Sequence, residues 1–170
     1  MLSLDLVDKG VVTNQIVLTV GYDKESLADG HYTGEVVCDH YGRKIPKHAH
    51  GTQNLGRHIS STRKIIDATM ALFDRIIDKT LLARRLNLTA CNVIREEDIS
   101  EAESYEQISL FDMAEAANAD NNAEEKERAL QEAMLLIKHK YGKNAILKGT
   151  NYTEGATARE RNRSIGGHKA

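Results

Sequence analysis

From Glu96 to Glu127 the chain carries 12 acidic residues and one basic residue, Lys126, a balance of −11. A stretch so charged cannot be buried, because each carboxylate would lose its water without gaining a partner. It reads as a solvated connector, so a hydrophobic core has to form elsewhere in the chain. The rest of the chain holds 22 basic and 13 acidic residues, a balance of +9 with the seven histidines left neutral. The net charge of −2 therefore averages a basic body and an acidic connector, and does not argue against an anionic partner. At 170 residues the chain suits one domain with an appendage. No apolar stretch approaches the roughly 18 residues of a membrane span. Asp5 and Asp8 interrupt the apolar start, which has no basic lead, so Met1–Lys9 is not a signal peptide. Cys38 and Cys91 make no disulfide framework. The chain reads as soluble and cytoplasmic.

Periodicity outlines the basic body. Leu2, Leu6 and Val7 share a face of a short helix that Gly10 can cap. Gln15–Tyr22 alternates, with Ile16, Leu18, Val20 and Tyr22 on one side and Gln15, Val17 and Thr19 on the other, a half-buried strand. A glycine-containing connection from Asp23 to Pro46 has room for a hairpin around Glu35–Cys38. Lys47–Leu55 predicts a second strand with His48, His50, Thr52 and Asn54 on its polar face. Ser60 and Ser61 are N-cap candidates for a helix to about Lys79, with Ile65, Leu72 and Ile76 in one row and Ile66, Met70, Phe73 and Ile77 in the next. Leu82–Ile94 alternates again, Leu86, Leu88 and Ala90 opposite Arg85, Asn87 and Thr89. The class is α+β: an antiparallel sheet with helices packed on one face and the other face polar. Beyond the connector, Leu130, Met134, Ile137 and Tyr141 mark a C-terminal helix ended by Gly142, with a possible strand over Asn144–Asn151 and a basic tail from Gly155.

Four motifs bear on chemistry. Gln107-Ile108-Ser109-Leu110-Phe111 is an apolar cluster within the acidic segment, as a peptide that docks into a partner's pocket requires; the plainer reading is a short element packed on its own domain. Cys38-x-His40 and His48-x-His50 could supply four zinc ligands from a hairpin, although the spacing is not that of a zinc ribbon, and solvent- or phosphate-facing histidines are the commoner outcome. His48-x-His50-x-Thr52 lacks the second copy that a histidine phosphoesterase needs. No phosphate loop, nucleophile elbow or magnesium-holding carboxylate set occurs, so no catalytic or metal residue is assigned. Arg159, Arg161, Arg163 and Lys169 make the tail either a phosphate-contacting arm or a solvated terminus.

Gly155-Ala156-Thr157-Ala158-Arg159-Glu160-Arg161-Asn162 with Ile165-Gly166-Gly167-His168-Lys169-Ala170 resembles the C-terminus of bacterial Y-family translesion DNA polymerases of the ImpB/MucB/SamB group. So do His48-Ala49-His50-Gly51-Thr52, Asn54-Leu55-Gly56-Arg57 and Tyr141-Gly142-Lys143-Asn144-Ala145-Ile146-Leu147-Lys148-Gly149. The resemblance implies a little-finger domain of order β-α-β-β-α-β, with the first strand and most of the first helix missing. It places the catalytic palm and its magnesium upstream, so this chain would need no cofactor and would not be an enzyme alone. It also implies that Gln107, Ile108, Leu110 and Phe111 bind the bacterial sliding clamp.

The resulting expectation is a truncated little-finger DNA-binding domain over residues 1–95 and an acidic connector with the clamp peptide over 96–122. A C-terminal helix and possible strand follow over 123–154, then the basic tail over 155–170. Its function would be DNA binding and clamp tethering in error-prone damage bypass, as in an SOS response. Primer-template DNA would be held through phosphates by Lys47, His48, His50, Thr52, Arg57, Ser60, Ser61 and Arg85. The alternative function is a free-standing clamp-binding regulator. An unpaired sheet edge would allow a homodimer or a strand borrowed from the tail.

Overall fold

The computed structural model describes residues 2–28, 30–99, 114–165 and 168–169. It divides into two compact units, residues 1–113 and 114–170.

The first unit is built on β1, Val11–Tyr22, a run rich in β-branched residues. Ile16, Leu18, Val20 and Tyr22 are buried on one side, as their alternation predicts. β4 (Ala49–Ile59) and β5 (Ala83–Arg95) pair antiparallel with the two edges of β1, giving the order β4-β1-β5. The helices α1 (Leu2–Asp8) and α2 (Thr62–Ile76) contribute to the core on the apolar side of this sheet. Leu72 of α2 is fully buried against Leu18, Val20 and Tyr22, while Ile65 packs with Leu6 of α1 and Ile59 of β4. Complete burial of a leucine such as Leu72 contributes about 1.5–3 kcal/mol. The class is thus α+β, an antiparallel sheet with helices.

Ser61 caps α2, its hydroxyl accepting from the Lys64 N–H at 3.3 Å. The helix stops at Ile76, short of the expected Lys79. The reason lies in the side chains that bind the next turn. The Tyr22 hydroxyl accepts from the Asp78 N–H at 2.9 Å, and the Asp78 carboxylate accepts from the Thr80 N–H at 2.9 Å and the Thr80 hydroxyl at 2.6 Å. These bonds give the backbone an alternative to another helical turn. The second apolar row is not core throughout: Ile66 and Met70 are 45% and 53% exposed. Three strands and a two-turn α1 leave that flank of α2 uncovered. The outer edge of β5 likewise pairs with no strand among the described residues.

The connection after β1 carries the expected hairpin, β2 (Val36–Cys38) with β3 (Lys44–Pro46). Its turn is held by Asp39, which accepts from the Tyr41 and Arg43 N–H groups and pairs with the Arg43 guanidinium at 2.6 Å.

In the second unit, α3 (Ala114–Tyr141) begins inside the segment expected to be connector. Gly142 ends it at φ +93°, a conformation that favours glycine. The possible strand at 144–151 is replaced by turns and a 3₁₀ helix over Gly149–Tyr152. Buried Lys138 is the physical cause. Its ammonium donates to the Lys143 and Ile146 carbonyls, both at 3.0 Å, and so folds the chain back over the end of α3. α4 (Ala158–Arg161) and the two-residue strands β6 (Ser164–Ile165) and β7 (His168–Lys169) follow. Asn162 donates to Asn144 Oδ1 at 2.8 Å, and Asn144 donates to the Arg159 carbonyl at 3.2 Å.

Two outcomes follow from the first unit. A Cβ at Gly51 would lie 2.8 Å from both Leu72 Cδ1 and Ile76 Cγ2, too close for a packed core. Gly51→Ala should therefore destabilise the unit by about 1–3 kcal/mol in urea unfolding; an unchanged midpoint would mean that α2 does not approach β4 this closely. The Thr80 hydroxyl, and then its N–H, hold the Asp78 carboxyl below its ordinary value. A depressed folded-state value makes this turn's contribution fully present above the unfolded carboxylate range and lost as pH falls through the folded value. In an NMR titration Asp78 should titrate below an ordinary aspartate, and Thr80→Ala should move it back up.

Candidate nucleic-acid interface

Period-2 geometry that buries one side of β1, and half-buries the matching residues of β4, turns the alternate, mostly polar residues of the sheet to the other side. β5 buries no residue, and its Leu86 is 59% exposed instead of packed as the alternation predicts. Register sets its rows. His50, Thr19 and Asn87 lie side by side; Thr52, Val17 and Thr89 form the next row, and Asn54, Gln15 and Cys91 the third. Arg85 stands opposite Gly21 at the end of the strand pair.

Bonds across and along the strands join several of these side chains. Gln15 Nε2 donates to Asn54 Oδ1 at 2.8 Å. The Thr19 hydroxyl and His50 Nδ1 are 3.0 Å apart. When the hydroxyl donates, the imidazole proton sits on Nε2 and supplies an N–H donor. Arg85 Nε donates to Asn87 Oδ1 at 3.3 Å. The His48 ring lies edge-on to that of His50, with centroids 6.4 Å apart.

No Asp or Glu occupies these rows. The carboxylates of the opposite layer are Asp5 and Asp8 on α1 and Asp67 and Asp74 on α2, all exposed and interspersed with Arg63, Lys64 and Arg75. Cations flanking the sheet face are matched by carboxylates: Arg84 with Asp23 at 3.2 Å, Arg95 with Glu97 at 3.1 Å and Lys47 with Glu35 at 2.6 Å. Arg85 has no carboxylate in salt-bridge reach among the described residues. The face thus offers hydroxyl, amide, imidazole and guanidinium donors without a fixed negative charge to repel phosphate.

The structure brings together His48, His50, Thr52 and Arg85 of the expected contacts. Lys47 instead extends the small hairpin, its N–H bonded to the Glu35 carbonyl at 2.8 Å. Arg57 lies in the irregular part of β4, where pairing shifts between Thr13 and Gln15 of β1. Ser60 and Ser61 stand at the entry to α2, with Ser61 buried and capping. Gln107, Ile108, Leu110 and Phe111 lie outside the described residues. Thr19, Asn87 and Thr89 join the face although the sequence singled out none of them as a contact. Their alternation was visible, but the register that sets Thr19 between His50 and Asn87 was not. The zinc alternative is not assembled: no group of three or more His, Cys, Asp or Glu among the described residues is placed to hold a metal ion. No helix among them is long and apolar enough to cross a membrane.

The chain is 30% identical over 160 residues to a Bacillus subtilis (strain 168) protein named "Putative UV-damage repair protein UvrX", in an alignment covering 94% of this chain. The chain spans 30% of that relative's length. No protein-family profile and no solved structure matches it.

Proposed function

We propose that this chain is the DNA-gripping and clamp-tethering part of a translesion DNA polymerase of the ImpB/MucB/SamB group, acting in damage repair and bypass. The observation that carries the proposal is the polar, carboxylate-free sheet face with Arg85 unmatched by an acid among the described residues. The similarity to a relative named for UV-damage repair supports it. Duplex DNA lies along the rows of His50, Thr52, Thr19, Asn87 and Arg85, which bind phosphate oxygens irrespective of base sequence. Phosphoryl transfer needs magnesium held by positioned carboxylates, and this chain contributes the grip and the tether, not that chemistry. The unpaired edge of β5 is where a further strand or a second copy adds to the sheet.

Two outcomes test this reading. Fluorescence anisotropy should show weak binding to duplex or primer-template DNA of any sequence, falling steeply with salt as counterions are released. A combined His50→Ala and Arg85→Ala variant should lose about 5-fold or more in affinity, corresponding to about 1 kcal/mol or more. Salt-independent binding, or an unaffected variant, would contradict the assigned face.

For the tether, Leu110 and Phe111 enter an apolar clamp pocket while the Gln107 amide sets register. Burial of each apolar side chain contributes about 1.5–3 kcal/mol before ordering costs, so affinity should be about micromolar. Leu110→Ala with Phe111→Ala should abolish clamp binding in a pull-down and leave folding and DNA binding intact. Loss of folding in that variant would place Phe111 in a core.

A further inference from the structure

Asn144 and Asn162 tie the start of the basic tail back to the end of α3, and the knot so formed displays aromatic rings among its cations. Residues 138–170 contain eight Lys or Arg against two Glu. Tyr141 and Tyr152 are 67% and 65% exposed, which leaves ring surface open to a ligand. Each carries a cation over its ring, the Lys140 ammonium 5.2 Å from the Tyr141 centroid and the Arg159 guanidinium 5.0 Å from that of Tyr152. The two rings belong to one local framework. Gly142 and Lys143 follow Tyr141 directly, Lys138 clasps the Lys143 carbonyl, and Asn144 bonds the backbone of Arg159, whose side chain lies on Tyr152.

We infer that this knot is a single-stranded nucleic-acid site in which Tyr141 and Tyr152 stack on bases while Lys140, Lys143 and Arg159 hold the phosphates. A duplex offers its bases to no ring, so phosphates alone would explain the charge but not the exposed tyrosines. An unpaired strand presents both base faces and backbone charge, and cation-bearing aromatic platforms match both without reading sequence. Lys138 is excluded from the contact set because its ammonium is spent on the Lys143 and Ile146 carbonyls. The site uses none of the residues proposed for duplex DNA on β1, β4 and β5.

The test uses the full chain with a fluorescent thymidine oligonucleotide and an abasic strand of equal length. The native chain should bind the thymidine strand more tightly than the abasic one. Tyr141→Ala with Tyr152→Ala should lower affinity for the thymidine strand roughly 10-fold or more, leaving abasic binding nearly unchanged, whereas Tyr141→Phe with Tyr152→Phe should retain both. Equal binding of the two strands by the native chain would overturn the inference, as would normal thymidine-strand binding by the alanine variant. If the alanine variant does not fold, the native comparison and the phenylalanine variant still decide. His50→Ala with Arg85→Ala should keep the thymidine preference, which separates failure of this site from failure of the duplex face.

Discussion

The approach of α2 to the sheet governs the first unit. Leu72 and Ile76 can settle over β4 only because Gly51 presents no side chain there. That contact covers the apolar side over β1 and β4, while Leu86 of β5 stays 59% exposed, and it determines which residues β4 turns to the other side. His50 and Thr52, the immediate neighbours of Gly51, necessarily face away from the helix. The motif His50-Gly51-Thr52 thus joins a packing requirement to two outward polar groups within three residues. Arg75 reinforces the contact, donating to the Gln53 side chain at 3.1 Å and the Thr52 carbonyl at 3.0 Å.

Charge follows the same division. The sheet rows carry no fixed negative charge, while flanking cations are largely matched by nearby acids. Such exposed pairs add little stability, but they leave Arg85 as the guanidinium on the face without an acid in reach among the described residues. The second unit separates charge along its length, with acids concentrated in the first part of α3 and cations gathered at the knot.

Most of the first unit was legible in the sequence because its alternation and helical periodicity are strong. Ile16, Leu18, Val20 and Tyr22 are buried as a set, and the Glu35–Cys38 region does form a hairpin. What could not be read in the first unit came from contacts distant in sequence. The stop of α2 depends on the Tyr22 hydroxyl, and the exposure of Ile66 and Met70 depends on how much of the helix the other elements cover. The polar face was legible in composition but not in register: the sequence marks His50 and Arg85 as expected contacts, whereas only strand pairing sets Thr19 between His50 and Asn87. In the second unit, the Asn144–Asn151 strand was misread because the outcome turned on one buried ammonium, that of Lys138.

The claim that the sheet face is the duplex interface is tested most directly by mapping amide NMR shifts during titration with a short duplex. The account predicts the largest perturbations at Thr19, His50, Thr52, Arg85 and Asn87, with Asp67 and Asp74 on α2 little moved. Perturbations centred on α2, with the sheet rows silent, would contradict it.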